Sequence, residues 1–95
     1  MKTREQYLQT RKDLKAEYHS LYAEYKKAKS DFIARQRAFS NAPGFHYSLY
    51  VDVLNANDRK LVRRKKLIDV QSRLSAHYEE GRDYWKYFRN QFSSS

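Results

Sequence analysis

A chain of 95 residues, 40% apolar and 16% aromatic, supports one domain with a narrow, ring-rich core. The lack of cysteine excludes a disulfide framework and thiolate metal sites, while two glycines and one proline leave too few turns for an all-β fold. Twenty Lys and Arg against eleven Asp and Glu give a net charge of +9. That excess suits nucleic acid, an anionic membrane surface or an acidic protein face, and its bland alternative is solvated helix surface.

Thr3 followed by Gln6 fits a capping box and opens a first long helix, over about 3–41. Tyr7, Leu14, Leu21 and Ala28 recur every seven residues, and Tyr18, Tyr25, Phe32 and Phe39 form a second such series. This three-and-four spacing draws one apolar seam, the a/d pattern of a helix that packs lengthwise against another. Arg11 and Arg35 interrupt it, where long stems can lie along apolar surface with the guanidinium left in water.

Asn41-Ala42-Pro43-Gly44 is the strong breaker, with Asn41 able to close the helix in a left-handed conformation and Pro43 unable to continue it. A turn over about 41–45 makes the flanking helices antiparallel neighbours. A short helix follows, over about 46–56, with Tyr47, Tyr50, Val51 and Leu54 at helical spacing. Asn55-Ala56-Asn57-Asp58 then reads as a break, with a continuous helix as the alternative. A second long helix is expected over about 58–92, its seam made of Leu67, Leu74 and Phe88 in one series and Tyr78, Trp85 and Phe92 in the other. Gly81 takes the seam position between Leu74 and Phe88, either for close approach of the first helix or as a kink. The predicted fold is all-α: an antiparallel, coiled-coil-like helical hairpin with a short intervening helix, three helices in all.

Chemistry-bearing groups do not converge in this pattern. His19, His46 and His77 have no ligand spacing, and the neighbours Glu79 and Glu80 point in different directions on a helix. No phosphate-binding glycine loop is present, so neither an enzyme nor a cofactor is expected. The densest basic run holds Arg59, Lys60, Arg63, Arg64, Lys65 and Lys66, which Lys26, Lys27 and Lys29 could extend from the first helix. Phosphate contact, docking on an acidic protein or lipid, and plain solvation all fit such a run. Tyr84-Trp85-Lys86-Tyr87-Phe88-Arg89 interleaves rings and cations, with Tyr84, Tyr87 and Arg89 the residues placed for exposed contacts. No run approaches the ~18 apolar residues of a membrane span, and the amino end lacks a secretory stretch. An intracellular protein, cytoplasmic or nuclear, is the expectation.

Glu17-Tyr18, Leu21, Ala23 and Phe32, with Tyr7 upstream, resemble the spaced-aromatic pattern of the occludin/ELL homology domain around its Glu-Tyr-x-x-Leu-x-Ala core. Ala42-Pro43-Gly44 comes where that family also turns, and Arg73-Leu74-Ser75-Ala76-His77 is loosely similar to its closing helix. Arg11 and Lys15 stand at positions where the family has aromatics. The resemblance implies a three-helix, coiled-coil-like module that recruits protein partners, and it brings no catalytic residue. The leading functional expectation is therefore a non-enzymatic interaction module. It would bind a protein partner or form a homo-oligomer through its aromatic heptad seam, assisted by the basic face. The alternative is phosphate-directed nucleic-acid binding.

Overall fold

The computed structural model describes the backbone of residues 3–93 and the side chains of residues 3–82. Two helices make an all-helical hairpin: α1, Arg4–Asn41, and α2, Tyr47–Ser93. Among the described residues there is no strand. The rod measures 77 × 17 × 16 Å, the cross-section of two helices side by side.

Helix α1 starts where the first turn is satisfied from both directions. The Gln6 N–H donates to the Thr3 hydroxyl at 3.2 Å, and the Thr3 N–H donates to Gln6 Oε1 at 3.0 Å. Its end differs in detail from the sequence expectation. Asn41 remains helical, Ala42 is extended at φ −72° and ψ 136°, and Gly44 at φ 77° is the residue in the left-handed region. The reason is steric: a residue before proline is pushed out of the helical region, so the reversal moves past Pro43 to the glycine. Phe39, Phe45 and Tyr50 then close the turn, their ring centroids 5.8–5.9 Å apart. The His46 ring N–H donates to the Pro43 carbonyl at 2.9 Å.

The separate short helix over 46–56 is not found; α2 runs unbroken through Asn55–Asp58. Ala56 is wholly buried against α1, while Asn55 and Asp58 face water, so each polar residue in this stretch lies on the side that tolerates it. With neither glycine nor proline present, packing overrides the weak capping signal.

The α1 side of the interface is the double series from Tyr7 to Phe39. Tyr7 is buried; Leu14, Tyr18, Leu21, Tyr25, Ala28, Phe32 and Phe39 are half-buried. The α2 side is a row with the same spacing: Leu49, Val53, Ala56, Lys60, Arg63, Leu67, Val70, Leu74, His77 and Gly81. Leu67 and Leu74 belong to it. Tyr78 does not: it is one position out of step, 42% exposed, and His77 occupies the buried place beside it at 3%. One residue turns a helical side chain by about 100°, enough to carry a ring out of the interface. Trp85, Phe88 and Phe92 lie outside the residues with described side chains.

Small residues of α2 sit level with large ones of α1. The register fixed where Gly81 meets Tyr7 brings Phe32 level with Ala56 and Tyr18 level with Val70. At the open end the match is tightest. A Cβ on Gly81 would fall on the Tyr7 ring, so glycine is what lets the two helices close over that tyrosine. Tyr7 stacks on His77 with centroids 4.2 Å apart, donates to the His77 carbonyl at 3.3 Å and accepts from Arg11 at 2.8 Å. The flaw at Arg11 becomes a contact: its guanidinium lies 5.0 Å from the centroids of both Tyr7 and Tyr78.

Candidate interaction surface

The two flanks of the rod differ in chemistry. On one, α1 presents Glu17, Glu24 and Asp31 at seven-residue spacing, and α2 presents Asp52, Arg59, Lys66 and Arg73 at the same spacing. Arg73 grips Glu17 with two bonds, at 2.6 and 3.2 Å, and also reaches Asp69 at 3.1 Å. Arg59 meets Asp31 at 3.1 Å, Arg35 meets Asp31 at 3.4 Å and Asp52 at 3.5 Å, and Arg63 approaches Glu24 at 4.0 Å. The Arg73 guanidinium holds the Glu17 carboxyl below its ordinary range, and Arg59 does the same for Asp31. Glu17 in turn raises Arg73 further above an already high value. All of these groups are well exposed, so each pair contributes little to stability, but the ladder defines the alignment of the helices.

This ladder accounts for half of the sequence-derived basic run. Arg59 and Arg63 face carboxylates across the interface, and the Lys60 ammonium lies 4.2 Å from the Phe32 ring centroid. Arg64, Lys65 and Lys66 project into solvent. The run is thus distributed around the helix and does not form one continuous patch. Two shallow grooves open along the ladder, one lined by Glu17, Leu21, Lys66 and Arg73, the other by Glu24, Ala28, Asp31 and Arg59. Both are acid–base surfaces already paired with themselves.

The opposite flank is apolar and basic. Along α2, Tyr47, Leu54, Leu61 and Ile68 recur every seven residues, all 42–71% exposed, with Tyr50 and Tyr78 beside that row. From α1, Leu8, Tyr22 and Ile33 are exposed on the same side. Only Val62, on the outer face, and Phe45, in the turn, complete the set of exposed large apolar side chains among the described residues. The α1 edge of this flank carries Lys12, Lys15, Lys26 and Lys29, with Lys26 lying 5.3 Å from the Tyr22 ring centroid.

Sequence reading missed this second row because it placed Tyr47, Tyr50 and Leu54 in a separate short helix and drew only one seam, through Leu67 and Leu74, beyond it. The signal was available: Tyr47, Tyr50, Leu54, Leu61 and Ile68 share the three-and-four rhythm, offset by one position from Leu67 and Leu74. Among the described residues no three His, Asp or Glu converge as metal ligands, and no helix is long and apolar enough to cross a membrane. Comparison with family models, curated proteins and solved structures finds no match.

Proposed function

We propose that this chain is a non-enzymatic helical interaction module that binds a protein partner. The observation that carries the reading is the concentration of exposed large apolar side chains on one flank of a rod whose other flank is charge-paired. The aromatic seam itself is consumed in holding the hairpin together, so the surface left for a partner is the second row, with the lysines of α1 steering approach. Recruitment of protein partners is also what the resemblance to the occludin/ELL homology domain implies.

A photocrosslinking residue placed at Gln71, between Ile68 and Tyr78, tests this. Protein adducts should form and should vanish in a Leu61→Glu/Ile68→Glu variant whose helix content and melting match the parent. Adducts unchanged by those substitutions would refute the assignment. A second reading, phosphate-directed nucleic-acid binding, rests on Arg64, Lys65 and Lys66, which are exposed to solvent. It requires affinity for DNA or RNA that falls steeply with salt and is lost when these three become glutamine. Absence of binding at low salt removes it.

A further inference from the structure

The occupant of the apolar flank can be specified further, on the premise that the chain is an interaction module. The flank consists of four rows, two from each helix. Those of α2 run Tyr47-Leu54-Leu61-Ile68-Ser75-Arg82 and Tyr50-Asn57-Arg64-Gln71-Tyr78; those of α1 contain Lys12, Lys26 and Ile33, and Leu8, Lys15, Tyr22 and Lys29. From Leu8 to Gln36 and from Tyr47 to Arg82 these rows hold no carboxylate; Glu5, in the first turn of α1, is the one acid they contain among the described residues. A chain with eleven acids keeps all of the described ones but Glu5 off this surface, while Glu17, Glu24, Asp31 and Asp52 crowd the other.

We infer that the flank receives a third helix with an acidic edge, completing a three-helix bundle. Three features define it. Its apolar stripe lies over Leu54, Leu61 and Ile68, whose seven-residue spacing repeats the geometry of the seam already buried. Its length is about three heptads, since Tyr47 to Ile68 spans roughly 31 Å at 1.5 Å per residue. Its Glu and Asp residues border the stripe on the α1 side, facing Lys12, Lys15, Lys26 and Lys29. Charge decides against a second copy as occupant: pairing two such flanks brings two cationic surfaces together, with Glu5 the one acid in the described rows. Shape favours a rod over a bilayer: Leu54, Leu61 and Ile68 form one narrow row, bordered by the polar Asn57, Arg64 and Gln71, that a single helix can follow.

The test uses the full chain and a synthetic helical peptide of about three heptads, with Leu at its a and d positions and Glu at e and g. A control peptide carries Lys in place of Glu, and like charges keep each peptide from pairing with itself. Fluorescence anisotropy should show the Glu peptide binding at least about tenfold more tightly than the Lys peptide. The order should reverse in a Lys12→Glu/Lys15→Glu/Lys26→Glu/Lys29→Glu variant. Leu61→Glu should abolish binding of both peptides while circular dichroism shows the hairpin intact. Equal affinity for the two peptides would overturn the acidic occupant yet leave the interaction module standing on its crosslinks. Failure of the Glu peptide to bind would overturn the inference, and two further measurements would then name the replacement. Binding to phosphatidylserine vesicles would assign a lipid surface, and a doubled sedimentation mass lost in Leu61→Glu would assign a second copy.

Discussion

The two helices distribute their apolar residues differently. Helix α1 concentrates them in one stripe from Tyr7 to Phe39 and leaves the rest of its circumference polar, with Leu8, Tyr22 and Ile33 as outliers. Helix α2 carries two rows. The row facing α1 contains Lys60, Arg63, His77 and Gly81, whereas the row facing solvent contains Leu54, Leu61 and Ile68. Apolar content alone therefore does not say which row holds the hairpin, since the facing row also contains Leu49, Val53, Ala56, Leu67, Val70 and Leu74. Position within the pair, set by small residues such as Ala56, Val70 and Gly81 that admit large rings, outweighs hydrophobicity summed along a row.

The sharpest way to break this comparison is a pair of substitutions two residues apart. Val70→Asp places an unpaired charge at a fully buried site and should cost about 3–5 kcal/mol, unfolding much of the population in urea titration. Ile68→Asp, on the solvent-facing row, should change stability by no more than about 0.5 kcal/mol. Similar losses for the two would mean that the rows are wrongly assigned.

Gly81→Ala comes next in size. In an exposed helix this change stabilises by about 1 kcal/mol. Here the new methyl meets the buried Tyr7 ring, so a loss of roughly 1–3 kcal/mol is expected, with recovery in the double variant Tyr7→Leu/Gly81→Ala. Thermal melts of the four species separate the two signs.

The charged flank predicts a weaker, pH-dependent effect. Glu17 and Asp31 have lowered pKa values in the folded chain, so the unfolded chain binds protons more readily. Their contribution is present above the ordinary carboxylate range and is lost as pH falls through it. Urea midpoints should therefore drop on acidification, and less so in Glu17→Gln/Asp31→Asn. The smallest change expected is for Lys60→Met. It replaces an ammonium over Phe32 with an apolar side chain of similar length at a seam position, and should alter the melting free energy by about 1 kcal/mol or less.

Much of the fold was legible before any coordinates. The first seam could be read because its members are large and regularly spaced, and the turn because Pro43 and Gly44 have few other uses. Among the residues with described side chains, the second seam was legible at Leu67, Leu74 and Gly81. Apart from Leu49, its remaining members are alanine, valine, lysine, arginine and histidine, types whose burial is decided largely by the partner helix. Tyr78 attracted the assignment that belongs to His77, since a tyrosine is the stronger hydrophobic signal of the two neighbours. The apolar flank was likewise not read as a surface: Leu54 counts only toward a short helix in the sequence, and Leu61 and Ile68 toward no seam, until the register shows where they point. The split of the basic run, with Arg59 and Arg63 turned toward carboxylates, likewise depends on a register that one strand of text does not contain.

The ladder along the charged flank also acts as a lock against misalignment. Sliding the helices by one heptad in one direction would carry Asp31 to Asp52, and in the other would carry Glu17 to Glu80, acid against acid each time. Both neighbouring alignments are thereby penalised, in addition to losing the fit of Gly81 over Tyr7. A rod this slender, built on a repeating contact, draws part of its single way of closing from a few carboxylates that add little to its strength.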